Sequence, residues 1–181
     1  MNVAHKYLPN YNYEDYCQWE GQWELIEGIP YAMSPLPIPI HQRVNGNLYA
    51  NFEIALKKSC KDCKAYLPID WKIKESTILQ PDLLIVCQKI EKKFLDFSPE
   101  LVVEILSPYS AKKDLDEKFH AYEEAGVKEY WIINAESKVV SIYLLKDNHY
   151  QLSKHYDDLG PIPLNIYEDF NVNWEEVFEK I

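Results

Sequence analysis

Three stretches of the chain are apolar at nearly every position: Leu83-Leu84-Ile85-Val86, Leu101 to Leu106, and Glu129 to Asn134. Runs without polar alternation predict strands covered on both faces. Between Ile40 and Lys58 the period changes. Val44, Leu48, Phe52 and Ala55 recur at three- and four-residue steps and predict one buried stripe of a helix. A second helix is predicted from Leu115, with Asp114 and Glu117 as an acidic capping box and Gly126 as its stop. Its buried face carries Leu115, Phe119 and Tyr122.

Shorter elements fill the remainder. A short helix is expected around Tyr13 to Trp19, and a hairpin over Trp23 to Met33 about Glu27-Gly28. Three prolines at alternate positions, Pro35, Pro37 and Pro39, force an extended connection. Ala65 to Lys74 and Ile78 to Cys87 read as two strands. Residues 88 to 98 read as a lysine-rich solvated segment, and Ser107-Pro108 stops the Leu101 to Leu106 strand. Val139 to Leu145 and His149 to Lys154 form a hairpin about Lys146-Asp147-Asn148. Asp157 to Pro163 reads as a loop and Trp174 to Lys180 as a terminal helix. With no repeat and no linker, residues 1–181 are expected to form a single domain.

Against this pattern three charged residues stand out. Asp82 and Glu104 sit at or inside wholly apolar runs, and Lys118 falls on the core side of the helix that follows. Carboxylates and ammonium groups are rarely placed there unless paired or bound. For Lys118 the alternative is a side chain that snorkels to solvent from the first turn. His41 lies within the apolar stripe of the first long helix, as either a hydrogen-bonded core residue or a member of a site.

Composition narrows the partners. The formal charge is −10 and Arg43 is the only arginine. Steering towards a polyanion is therefore unfavourable without a local basic patch or a metal, and bidentate reading of guanine is hardly available. No apolar run approaches a membrane span and the first residues lack a signal-peptide core, so a cytoplasmic location is expected. In that compartment Cys17, Cys60, Cys63 and Cys87 are expected as reduced thiols. Cys60-x-x-Cys63 has no second Cys/His pair at zinc-ribbon spacing, which leaves loop or helix-end thiols as the plainer reading.

If the strands bearing Asp82 and Glu104 are neighbours, their carboxylates converge. Two such groups repel, and a divalent cation is the natural third member. An oxygen-only donor set suits Mg²⁺ or Mn²⁺. A nearby lysine can orient water or offset charge on a phosphate. Glycoside hydrolysis also uses paired carboxylates, but it does not need the lysine.

The segments Trp23-Glu-Leu-Ile-Glu-Gly28, Ser34-Pro35 with His41-Gln42, Gln80-Pro81-Asp82, Leu101-Val-Val-Glu-Ile-Leu-Ser-Pro108 and the block from Asp114 to Ile133 resemble the Uma-two family. These are bacterial endonucleases of the restriction-endonuclease-like, PD-(D/E)XK superfamily, and the resemblance covers about residues 20 to 150. It implies an α/β fold with a mixed central β-sheet flanked by helices and an extra N-terminal β-hairpin. The N-terminal helix and hairpin would span 10–35, the nuclease core 38–155 and the C-terminal tail and helix 156–181. It further implies Mg²⁺-dependent cleavage of DNA phosphodiesters, with Asp82 and Glu104 as metal ligands and the Ile105 carbonyl as a third. Where the superfamily has lysine two residues after the acid, this chain has Leu106; Lys118 is the family's replacement from the next helix. Glu24 and His41 match the family's early acid and histidine and are expected at the rim of the site. Homodimers are common among such folds.

Three rivals stand beside this reading. One is a nuclease-like nucleic-acid or partner-binding protein without activity. Another is a metal-dependent hydrolase of small phosphoesters, and the third a domain whose buried ion pair is only structural.

Overall fold

A computed structural model describes residues 9–33, 37–60, 62–106, 114–158, 160–165 and 170–179. The first helix, α1, spans only Tyr13–Tyr16 rather than reaching Trp19. The Asn12 side chain accepts from the Glu14 and Asp15 N–H groups while Asp15 reaches back to the Asn12 N–H, a complete capping box. Strands β1 (Trp23–Ile26) and β2 (Ile29–Ala32) form the expected hairpin. Glu27 and Gly28 both take positive φ, 50° and 78°, as a two-residue turn matched to strand twist requires. A Cβ at Gly28 would also meet Asn10 Oδ1 at 2.6 Å. Helix α2 (Pro39–Ser59) starts on Pro39, whose missing N–H is harmless at the first helical position.

The two strands expected between Ala65 and Cys87 are in fact four: β3 (Lys64–Tyr66), β4 (Trp71–Lys74), β5 (Thr77–Leu79) and β6 (Leu83–Val86). Pro68 and Pro81 account for both breaks, because proline removes a ladder donor and restricts the residue before it. Strand β7 (Leu101–Leu106) has the expected bounds. The second helix is less regular than predicted: a π-helical turn over Asp114–Lys118 leads into α3 (Phe119–Glu124). Gly126 closes it at φ 79°. Then come β8 (Glu129–Asn134), β9 (Val139–Lys146) and β10 (His149–Tyr156), the last two joined by Asp147 and Asn148 at positive φ. The expected loop after Asp157 includes β11 (Pro161–Pro163), which pairs with β12 (Asn171–Asn173) before α4 (Trp174–Val177). The Ser34-Pro35 and Ser107-Pro108 motifs and the side chains of the Asp114 cap and Leu115 lie outside the described residues.

Six strands form a mixed sheet in the order β10-β9-β8-β7-β6-β3, with β7 and β8 parallel and the other neighbours antiparallel. The N-terminal hairpin is part of a second sheet, β2-β1-β5-β4. Alternate residues of β7 serve two cores. Leu101, Val103 and Ile105 pack with Val44, Leu48 and Phe52 of α2; Val102 packs with Tyr122 of α3, Tyr130, and Ile26, Trp71 and Leu79 of the second sheet. Burial on both faces explains the unbroken apolar runs. It also assigns Glu104, two residues from Val102, to the α3 face.

Two expectations are corrected. Leu95, inside the segment expected to be solvated, is fully buried and exchanges backbone hydrogen bonds with Asp70 and Lys72 at 2.8 Å. Cys63 and Cys87 are joined by a disulfide rather than reduced. The β3–β6 register pairs Lys64 with Val86, which sets the flanking residues 63 and 87 opposite one another.

Candidate active site

The break at Gln80-Pro81-Asp82 places the first acid. Leu83 pairs with Val103 across the antiparallel β6–β7 ladder. Asp82 lies in a bend immediately before β6, one residue ahead of that pair. The carboxylate is fixed by the neighbouring strand: Asp82 Oδ2 accepts the Ile105 N–H at 2.8 Å and lies 3.1 Å from His41 Nε2. When Nε2 carries the proton it donates to Asp82, and a protonated His41 makes this an ion pair. The main chain is held as well. Asn45, one turn after His41 on α2, donates from Nδ2 to the Asp82 carbonyl at 2.9 Å.

Glu104 has a different environment. Its Oε1 receives Lys118 Nζ at 2.8 Å and the Tyr122 hydroxyl at 2.5 Å. Lys118 Nζ also lies 3.0 Å from Glu24 Oε1. All three charged side chains are nearly inaccessible, at 4 % for Lys118, 0 % for Glu24 and 3 % for Glu104. Lys118 and Tyr122, four apart, reach the same carboxylate from one helix face. Burial, and next the charge of Glu104, push the Tyr122 hydroxyl far above the ordinary tyrosine range. It is therefore a permanent donor at neutral pH.

Glu24 ties this cluster to the Asp82 loop, since its Oε1 also accepts the Gln80 N–H at 2.9 Å. The Gln80 side chain donates to Asp70 Oδ1 at 2.7 Å, and Tyr16 donates to the same oxygen at 3.0 Å. The loop is thus pinned from α1, β1 and α2. Among the described residues, three carboxylates (Glu24, Asp82, Glu104) gather about the Lys118 ammonium and His41. Hard oxygen donors, with Asp82 partly exposed at 19 %, suit a hard divalent cation rather than a phosphate alone.

Every candidate residue from the sequence falls in this neighbourhood, with two adjustments. Glu24, expected at the rim, is wholly buried at the floor. Lys118 points inward onto two acids, so the snorkelling alternative does not apply. The sequence reading missed Asn45 and the polar role of Tyr122. Asn45 sits next to Val44 and four residues after His41, so a buried amide on that face is the available signal; Tyr122 reads from the sequence only as core. Beside Glu104 on the same face, Leu106, Ile132, Asn134, Ser141, Tyr143 and His155 line part of an open cavity of about 260 Å³. Ile132 is the register partner of Glu104.

A family model described as "Putative restriction endonuclease", Uma2, matches residues 13–175. Among solved structures, the chain is similar to a putative nuclease belonging to DUF820 from Anabaena variabilis ATCC 29413. The two share 16 % identity with a TM-score of 0.77 over 92 % of this chain and 97 % of that one. That likeness shows a common fold, the mixed sheet described above. No curated protein matches the chain. Among the described residues no helix is long and apolar enough to cross a membrane.

Proposed function

The chain belongs to the Uma2 family, described as putative restriction endonucleases, and from that premise we propose that it is a divalent-cation-dependent nuclease that hydrolyses DNA phosphodiesters. One observation carries the proposal. Asp82, just before β6, accepts the N–H of Ile105, the residue after Glu104 on β7, with a histidine bonded to the first acid and a buried lysine to the second. Asp82, Glu104 and the Ile105 carbonyl are the residues that would hold the cation. Within a strand the N–H and C=O of one residue point to the same side. The Ile105 N–H donates to Asp82, so its carbonyl is directed towards the same edge. A bound Mg²⁺ or Mn²⁺ acidifies water and offsets the charge that develops on a phosphate under attack.

The chain's own residues supply the rest. The Ile105 N–H and His41 hold Asp82 Oδ2, which leaves Oδ1 without a hydrogen bond among the described residues. Tyr122 fixes the Glu104 rotamer through a charge-assisted hydrogen bond. Lys118 is held between two carboxylates and is the group placed to orient the attacking water or counter charge on a phosphate oxygen. Glu24 holds that lysine in place, and Asn45 and His41 fix Asp82; these three are positioning residues. The open cavity beside Glu104 offers room for a nucleotide flanking the scissile bond.

The experiment is cleavage of supercoiled plasmid, single-stranded DNA and RNA in Mg²⁺ or Mn²⁺ by the wild type, Asp82→Ala and Glu104→Ala. Loss of cleavage in both variants, with their folds intact, supports the site. Equal cleavage in both removes it. The formal charge of −10 favours a second reading, a non-catalytic nucleic-acid or partner-binding protein of the same fold. Metal binding without cleavage of any substrate would favour that reading.

A further inference from the structure

Remote from Asp82 along β6, at the strand's other end, three cysteine sulfurs gather. Cys60 caps the C-terminus of α2, Cys63 precedes β3 and Cys87 follows β6, and their Sγ atoms all lie within 4.8 Å of one another. Two of the three, Cys63 and Cys87, are bonded to each other, and Cys60 is a free thiol beside that bond. This is the arrangement thiol–disulfide exchange requires: an attacking thiol and a disulfide in reach of one another, with access from solvent.

We propose that Cys60, Cys63 and Cys87 form an exchange site in which the disulfide moves between Cys63–Cys87 and Cys60–Cys63. The Cys60 thiol gives its proton to solvent. Its thiolate attacks Cys63 Sγ, the Cys60–Cys63 bond forms and the Cys63–Cys87 bond breaks. Cys87 leaves as thiolate and takes a proton from solvent. One disulfide and one thiol stand on each side of the step, so no oxidant or reductant is consumed.

Burial decides which sulfur is attacked. Cys63 is only 2 % exposed, whereas Cys60 and Cys87 are half-buried. A departing thiolate is costly in an apolar surrounding, which disfavours Cys63 as the leaving group and directs attack to its sulfur. The exchange has a structural consequence. In one form the edge strand β3 is tied covalently to β6, the strand that leads away from Asp82; in the other the tie closes only the short loop between α2 and β3.

The test is disulfide mapping on the full-length, unreduced protein under native conditions at about pH 8.5, where an ordinary thiol is half ionised. After equilibration the free thiols are alkylated and the products mapped by mass spectrometry, with exposed Cys17 as the labelling control. The expected result is label on both Cys60 and Cys87, with about one-tenth or more of the cluster's label on Cys87. Cys87→Ser, oxidised with glutathione disulfide that is itself reduced to two glutathione thiols, should yield a Cys60–Cys63 disulfide, and Cys60→Ser should lock Cys63–Cys87 with neither residue labelled. Label confined to Cys60 in the wild type overturns the proposal, as do free thiols at both Cys60 and Cys63 in Cys87→Ser after treatment with glutathione disulfide. Three cysteines protected together by stoichiometric zinc would assign a thiolate metal site instead and overturn it as well.

Discussion

Lys118→Met is the most informative single change, because methionine keeps most of the unbranched apolar stem and removes the ammonium with its charge and hydrogen-bond donors. Lys118 stands 3.0 Å from Glu24 and 2.8 Å from Glu104, with all three side chains at most 4 % exposed. Removing one partner from a buried ionic cluster costs about 3–5 kcal/mol, chiefly because uncompensated charge stays behind. Here two carboxylates are left. With a urea m-value of about 2 kcal/mol/M, the denaturation midpoint should fall by about 2 M. That is a large share of a total stability of about 5–15 kcal/mol. Glu24→Gln alone should cost about 1 kcal/mol, since Lys118 keeps Glu104 and a glutamine oxygen can still accept the Gln80 N–H. The double variant should then lose about 2 kcal/mol less than the sum of the two, the signature of a shared electrostatic site. Urea titrations of the four proteins at neutral pH measure these costs. Additive costs, or a midpoint shift below about 0.5 M for Lys118→Met, would refute the argument that the lysine neutralises two buried acids.

Other expectations follow from the same geometry. Tyr122→Phe removes a hydrogen bond to a buried carboxylate and should lower stability by about 1.5–3 kcal/mol, read by urea titration. It should also lower cleavage about tenfold by loosening Glu104; an unchanged rate would mean that rotamer is held by Lys118 alone. Asn45→Ala frees the Asp82 carbonyl and should cost about 1 kcal/mol, with a larger loss in cation affinity than in stability when titrated calorimetrically. The pH profile is set by tyrosines whose hydroxyls are raised in the fold. Burial and the hydrogen bond that Tyr31 donates to Glu117 push its hydroxyl up to about 12, and burial raises Tyr122 well above its ordinary value. Their unfolded value is about 10, so the stabilising difference is fully present below that pH and is lost as pH rises from 10 towards the folded values. The denaturation midpoint should therefore be level through pH 9 and fall above pH 10; a flat profile to pH 12 would contradict the raised values.

What could be read in the sequence, and what could not, divides along physical lines. Strands β7 and β8 were legible to the residue because burial on both faces leaves no polar position to blur them. The α2 stripe was legible because one helix face meets one core. The acids of these runs announced themselves by cost: Glu104 in the middle of Leu101 to Leu106 demanded partners, and Lys118 and Tyr122 are among them. The runs around Pro68 and Pro81 misled, because each apolar stretch crosses between two sheets and hydrophobicity does not report which sheet a residue joins. The π-helical turn at Asp114–Lys118 was invisible to a helical wheel, although such turns recur at functional sites. The full burial of Glu24 is not legible because nothing local to β1 says how deeply an alternating strand is covered. The Cys63–Cys87 bond depends on the register of β3 and β6, which only the assembled sheet defines.

The most direct measurement is plasmid cleavage against Mg²⁺ and Mn²⁺ concentration by the wild type and by Asp82→Asn, a change that keeps the shape of the side chain. The account predicts cation-dependent nicking by the wild type. In Asp82→Asn it predicts a loss of at least about a hundredfold together with weaker cation binding by calorimetry. Cleavage by Asp82→Asn at the wild-type rate, or cleavage by the wild type in excess chelator, would contradict it.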